Sequence, residues 1–466
     1  MERPGGPCYP LAMPIESRNP ATGELLERFP EALEADVEAA LAAAEAAFAG
    51  WRRRSFEERA ARLREAARVL RSRKAAYART MALEMGKPVA QGEAEVEKCA
   101  VACDHYAEHG ARLLAEEPHP SDARRSWVRF DPLGPVLAIM PWNFPFWQVF
   151  RFAAPGLMAG NTGLLKHASN VPRCALAIEE VFRDAGFPSG VFRSLLVGSA
   201  AVSRLIADPR VRAVTLTGSD RAGSEVAMHA GRALKKTVLE LGGSDPFIVL
   251  ADADLDRTAR AAADARLVNS GQSCIAAKRF VVVDAVADRF VERFVAEMQA
   301  RRVGDPLARA TEVGPQARTD LRDDLHGQVV ASVERGARVV LGGEVPPGPG
   351  AFYPPTVLVA VEPGMPAFDD ETFGPVAAIV RARDEAHAIA LANASQFGLG
   401  ASLWTTDVER GARLAAEIES GLVFVNGVVH SDPRLPFGGV KRSGYGRELA
   451  EYGIREFTNV KTVWVA

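Results

Sequence analysis

This chain has no large excess of either charge, few cysteines and no long apolar run, and each shortage closes off a class of function. Its 56 basic and 59 acidic side chains leave a net charge of −3. No basic footprint for a nucleic acid is therefore expected. No uninterrupted apolar stretch is long enough to cross a bilayer, so no membrane role is expected either. Met1–Glu16 holds prolines and glycines but no apolar core behind a basic start, which argues against a secretory leader. There are 5 cysteines in 466 residues, and an odd number without a leader predicts reduced thiols in a cytoplasm. Cys99 and Cys103 lie four apart on an expected helix with no second pair to follow, a spacing that reads as helix packing. No metal is expected. Solenoid repeats and low-complexity tails are also missing.

What is present reads as a large soluble α/β chain of two or three domains, 48% apolar and 25% charged. A short extended region ends in the turn Asn19–Gly23. Residues Glu34–Trp51 and Ser55–Glu84 repeat apolar positions at three and four, predicting amphipathic helices, and the first 115 residues read as mainly helical. From Pro135 the pattern changes. Short apolar runs at Val136–Met140, Gly163–Lys166, Val211–Leu216 and Thr237–Leu241 alternate with helical stretches such as Pro172–Ala185 and Asp220–Leu234. A second series runs through Phe247–Leu250, Phe280–Val283, Arg338–Leu341, Pro375–Val380, Ala401–Trp404 and Leu422–Asn426. Alternation of this kind predicts two tandem domains with parallel sheets covered on both faces. Ser126–Asp131 and Thr458–Val465 alternate apolar and polar residues, as half-exposed strands do, and predict a small protruding sheet able to meet a partner subunit.

Five stretches carry chemistry. Asn269-Ser270-Gly271-Gln272-Ser273-Cys274 is a polar turn ending in a thiol, and a free thiol is a weak nucleophile until something activates it. Glu240-Leu241-Gly242-Gly243 ends a strand with a carboxylate, followed by two glycines that let another group approach the backbone. In Pro141-Trp142-Asn143-Phe144-Pro145, two prolines fix an asparagine whose uncharged amide suits an oxyanion formed during reaction. Leu216-Thr217-Gly218-Ser219-Asp220 runs strand, glycine, helix, a place for a phosphate, although it fits neither G-x-G-x-x-G nor a P-loop. Glu371-Thr372-Phe373-Gly374-Pro375 adds a carboxylate beside an aromatic.

Together the ordered set P-W-N-F-P, L-L-K, T-G-S, E-L-G-G, G-Q-S-C, E-x-F-G-P and P-F-G-G-V-K-x-S-G resembles the aldehyde dehydrogenase superfamily from about Asn19 to the end of the chain. Ser244–Leu250, Cys274–Phe280 and the sequence L-L-K-H-A look most like the bacterial succinate-semialdehyde dehydrogenase branch. The resemblance implies two Rossmann-like domains and an oligomerisation sheet, with 1–119 and 137–240 binding the dinucleotide, 241–430 catalytic, and 120–136 and 445–466 joining copies in a homodimer or homotetramer. It further implies that Cys274 attacks the aldehyde, that the Asn143 amide and the Cys274 backbone N–H hold the oxyanion, that hydride passes to a nicotinamide, and that Glu240 activates water against the resulting thioester. Glu240 speaks against the CoA-acylating branch, and the intact set of three against a non-catalytic relative.

By the same resemblance, Lys166 would meet the adenosine ribose. Trp142, Thr217, Gly218, Ser219 and Leu241 would lie along the dinucleotide, and Glu371 and Phe373 at the nicotinamide ribose and ring. Ser169 replaces a glutamate that in many relatives repels a 2′-phosphate, so NAD or NADP is expected, with His167 a further candidate near that phosphate. For the substrate, Arg151 lies eight residues after Asn143, two helical turns along, and is expected to read a distal carboxylate, with Ser431 and Arg434 completing the anion site. Another ω-oxo acid or an uncharged aldehyde is the alternative substrate.

Overall fold

The computed structural model describes residues 14–466. The first thirteen residues, within the segment expected to lack a leader, lie outside that range. Chain-local chemistry sets some of the helix ends. Helix Phe56–Ser72 begins at Ser55, whose Oγ accepts from the Glu58 N–H while the Glu58 carboxylate accepts from the Ser55 N–H, satisfying two orphan donors at once. Helix Glu34–Trp51 falls where its periodicity places it. The stretch Ser55–Glu84 is not one helix: it breaks at Arg73, and a second helix runs Lys74–Met85. The break turns Leu63 and Leu70 on one side, and Tyr77 and Met81 on the other, toward the same core.

Two sheets organise the molecule. The first has the order Gly444–Tyr445, Lys236–Glu240, Ala213–Thr217, Pro135–Met140, Thr162–His167, Phe192–Ser194, parallel except for its first pair. The second has the order Arg338–Leu341, Thr356–Val359, Val376–Ala382, Ala277–Val283, Asp245–Val249, Gly400–Trp404, Leu422–Val425 and is again parallel after one antiparallel pair. Strand Thr356–Val359, unforeseen in the sequence, converts that edge to a hairpin. The central strands are buried along their whole length, as expected where helices cover both faces. Helix Trp147–Ala159 packs behind the first sheet with every residue buried.

A third sheet is antiparallel and stands apart. Thr458–Val465 pairs with Arg125–Pro132 over eight residues, from Thr458 opposite Pro132 to Val465 opposite Arg125. Glu117–Pro118 adds a short third strand. The N-terminal extended region is a hairpin, Ile15–Arg18 against Leu25–Phe29, around the predicted turn. No helix among the described residues is long and apolar enough to cross a membrane.

The first sheet delivers its strand ends to one crevice. Trp142 and Asn143 follow strand Pro135–Met140, Lys166 and Ser169 close strand Thr162–His167, Thr217–Ser219 close Ala213–Thr217, and Glu240 ends Lys236–Glu240. A crevice outside the carboxyl ends of parallel strands is where open α/β sheets bind ligands. The chain then crosses through Leu241–Ser244 into the second sheet, whose strands Asp245–Val249 and Ala277–Val283 start at the same place. The site is thus a seam between the end of one sheet and the beginning of the next.

Candidate active site

The turn before Cys274 is held in an unusual shape. Asn269, Ser270 and Gly271 have φ of 52°, 57° and 76°, three left-handed residues in succession, a conformation that costs non-glycine residues of order 1–3 kcal/mol each. Neighbours enforce it. Arg266 Nη2 donates to the Gly271 carbonyl at 2.7 Å, and Asn269 Nδ2 donates to the carbonyls of Asn143 at 2.7 Å and Gln272 at 3.0 Å. Gly271 is required on two counts, since a Cβ there would stand 2.2 Å from the Gly374 carbonyl oxygen.

Asn143 is buried, and its Nδ2 donates to the Gln272 carbonyl at 3.1 Å. One of its two amide hydrogens is used there, leaving one to donate to a bound group. The Cys274 thiol is partly open, while its surroundings push its pKa up to about 12: burial dominates, and the charges of Arg151 and Lys278 pull the other way. The resting group is a thiol. Glu240 is 2% exposed, and neither carboxylate oxygen has a hydrogen-bond partner. Burial first, and the Glu448 charge in addition, raise its pKa to about 8 against the pull of Arg151 and Arg447. Gly438 makes room for it, because a Cβ at that position would lie 2.8 Å from Glu240 Oε1.

The glycines after Glu240 act as the sequence suggested. A Cβ on Gly242 would stand 2.6 Å from Glu371 Oε2, and one on Gly243 would stand 2.6 Å from the Cys274 carbonyl oxygen. The Glu371 carboxylate accepts from the Gly243 N–H at 3.1 Å and lies 3.4 Å from Lys278 Nζ. Lys278, fully buried, also donates to the carbonyls of Ser273 and Cys274 at 2.9 and 2.7 Å. Sequence reasoning missed this lysine, which ties the thiol turn to the Glu371 loop; the available signal was two cations at the head of an otherwise apolar strand.

Two cavities meet at the thiol. One, of about 210 Å³, is lined by Trp142, Asn143, Thr217, Gly218, Ser219, Leu241, Cys274, Glu371 and Phe373 among others. Seven of the residues expected along a dinucleotide are therefore brought together. Trp142 and Phe373 meet edge to face at 5.7 Å, Ser219 caps helix Asp220–Arg232, and Gly223 lets that helix approach Leu241 closely. An open glycine–helix terminus beside an aromatic pair fits a nucleotide with a flat ring. Lys166 and Ser169 lie outside the cavity lining, Lys166 half-buried at the next strand end and Ser169 exposed. His167 does not reach that surface. Its Nδ1 accepts from the Ala168 N–H and its Nε2 bonds the Pro145 carbonyl at 2.9 Å, so the ring braces the Pro141–Pro145 turn from below.

The other cavity, of about 230 Å³, shares only Cys274 with the first and is walled by Lys98, Trp147, Arg151, Ser431 and Phe437 among others. Arg151 reaches it with its charge already matched: the guanidinium pairs with buried Glu448 and stacks on Phe437 at 4.4 Å. Arg434 is not brought in. It is exposed and held by Asp432, two residues away, at 2.8 Å, a local pair that turns it outward. Ser431 is buried, and its Oγ accepts from Trp147 Nε1 at 3.0 Å and Lys98 Nζ at 2.7 Å.

The sequence model of the aldehyde dehydrogenase family matches residues 11–463. A probable succinate-semialdehyde dehydrogenase [NADP(+)] of Synechocystis is 52% identical over 97% of this chain and 100% of its own. The succinate semialdehyde dehydrogenase [NAD(P)+] of Escherichia coli is 52% identical over 96% of this chain and 97% of its own. Among solved structures, a succinic semialdehyde dehydrogenase from Streptococcus pyogenes in complex with NADP+ superposes with a TM-score of 0.95 at 38% identity, covering 97% of this chain and 99% of that one. The order of the strands, the seam at the thiol and these matches along nearly the whole length lead to one assignment: the chain belongs to the aldehyde dehydrogenase family.

Proposed function

We propose that this protein oxidises succinate semialdehyde to succinate with NADP or NAD. The observation that carries the reading is that Cys274 alone is common to the walls of both cavities, one suited to a dinucleotide and the other carrying polar anchors for a short acid. The family relatives named for this substrate support the choice of aldehyde. A bound dinucleotide supplies the hydride acceptor. Trp142, Thr217, Gly218, Ser219, Leu241, Glu371 and Phe373 would hold it, with Lys166 and Ser169 toward its ribose.

The chain's own residues do the rest. Because the thiol rests protonated, a base must take its proton before attack, and Glu240, within electrostatic reach of Cys274, is the carboxylate whose raised pKa suits it to accept one near neutrality. The Cys274 sulfur then adds to the aldehyde carbon. The free hydrogen of the Asn143 amide and the Cys274 N–H hold the oxyanion, and bonds to Asn269 and Gln272 fix the Asn143 amide beforehand. Once hydride has left, a thioester remains on Cys274. Glu240, having passed the first proton to solvent, takes a proton from water as the hydroxide adds to the acyl carbon, and the tetrahedral adduct expels the Cys274 sulfur as a thiolate, which regains a proton.

The protruding sheet supports self-association. Val460, Trp464 and Val465 are exposed along its outer strand, next to the free edge that a second copy can pair with or cover. A cytoplasmic setting would keep Cys274 reduced. The test is absorbance at 340 nm with NAD and NADP in parallel, offering succinate semialdehyde and then butanal. Reduction is expected with the semialdehyde strongly favoured and absent in Cys274→Ala. Equal rates on the two aldehydes would remove the substrate assignment, and turnover by Cys274→Ala would remove the mechanism.

A further inference from the structure

Resting on that reading, we propose that Lys98, with Ser431, is the site that reads the carboxylate of the substrate. Neither resemblance nor spacing singles out Lys98. Lys98 lies in the middle of helix Val89–Leu113, where a lysine among acidic and small residues reads as a solvated face. In the fold its side chain turns into the second cavity, its Nζ 4.4 Å from the centre of the Trp147 ring and 2.7 Å from Ser431 Oγ.

The argument is a charge inventory of the cavity wall. Arg151 is matched by Glu448, and Asp264 by Arg301 at 2.8 Å. The acids nearest Lys98 are also engaged: Glu95 accepts from the N–H groups of Phe146 and Trp147 at 2.9 Å and pairs with Lys87, and Asp432 is held by Arg434. Lys98 forms no ion pair among the described residues, and it is the cation of this wall left without a counter-charge. Lys98 is half-buried, and burial, with the Arg151 charge adding to it, pulls its pKa down to about 8. Binding a carboxylate restores the missing partner.

Ser431 supplies the second contact. Its oxygen already accepts from Lys98 and from Trp147, so its own O–H is the remaining donor, and among the described residues it has no acceptor. An ammonium and a hydroxyl donor side by side, in a chamber that also contains the reactive thiol, make a carboxylate anchor for a short aldehyde whose other end must reach Cys274. The Trp147 face holds the ammonium by cation–π attraction. Arg151 on this account shapes the wall and sets the field at Glu240.

The experiment measures two quantities on the full chain: the ratio of kcat/KM for succinate semialdehyde to that for butanal, and succinate binding by calorimetry without dinucleotide. Lys98→Met keeps the stem on Trp147 and removes the charge. It is expected to lower the ratio at least roughly 10-fold and to abolish succinate binding. Lys98→Arg is expected to recover part of both, and Ser431→Ala, a smaller change that guards against misfolding of the first variant, to lower both. An unchanged ratio with succinate still bound in Lys98→Met would overturn the proposal while leaving the activity intact. Succinate binding that requires Lys98, in a parent protein that shows no preference for the semialdehyde, would instead uphold the anchor and overturn the activity.

Discussion

If Glu240 is the base that activates water, turnover must titrate with it, and its surroundings fix where. Burial and the Glu448 charge raise its carboxyl to about 8, so the ionised fraction is small at neutral pH and shrinks further on acidification. Hydrolysis of the thioester should therefore fall close to tenfold per pH unit below 8 and level off above. The sign follows from the causes: burial opposes the charged form, so acidification removes the base. The assay is stopped-flow absorbance at 340 nm between pH 6 and 9, which separates the first turnover, read as a burst near one equivalent per site, from the steady rate set by hydrolysis. Glu240→Gln should slow the burst as well as the steady rate, the steady rate more, by about 10²–10⁴, and flatten the profile. Glu448→Gln removes a neighbouring negative charge that raises Glu240, so its inflection should move to lower pH. A steady rate independent of pH from 6 to 8 in the parent, or a Glu240→Gln enzyme with the parent's slope, would refute the assignment.

Two further outcomes follow from local geometry. Ser169→Glu restores an acid beside the expected ribose position and should raise KM for NADP at least roughly 10-fold relative to NAD; a parallel change for both dinucleotides would show that the position does not face the 2′ substituent. Gly271→Ala forces a side chain into a left-handed residue and against the Gly374 carbonyl, and should cost about 2 kcal/mol or more, so an unshifted unfolding midpoint would contradict the account of the turn.

Much of the fold was legible because it rests on local signals. Strand runs such as Pro135–Met140 and Ala213–Thr217 announced themselves by length and apolarity, and the alternation in Ser126–Asp131 and Thr458–Val465 was enough to foresee their pairing across the chain. The residues gathered at the thiol were legible through ordered motifs. What stayed hidden depends on partners far away in sequence. Lys98 sits 333 residues from Ser431, so nothing near it distinguishes an inward from an outward lysine. Arg151 was placed correctly on its helix, but Glu448, which neutralises it, is supplied by the loop after strand Gly444–Tyr445. Arg434 misled in the opposite way: its closeness to Pro436-Phe437 suggested the cavity, while an aspartate two residues before it captured it on the surface.

A single sulfur at the junction of two chambers also determines how this enzyme can be silenced. An electrophile with a carboxylate tail would arrive from the Lys98 side and compete with aldehyde; one built on a nucleotide would arrive past Trp142 and Phe373 and compete with the dinucleotide. Capping the same atom from either chamber would arrest both half-reactions, so inhibitors of unrelated chemistry should prove mutually exclusive here.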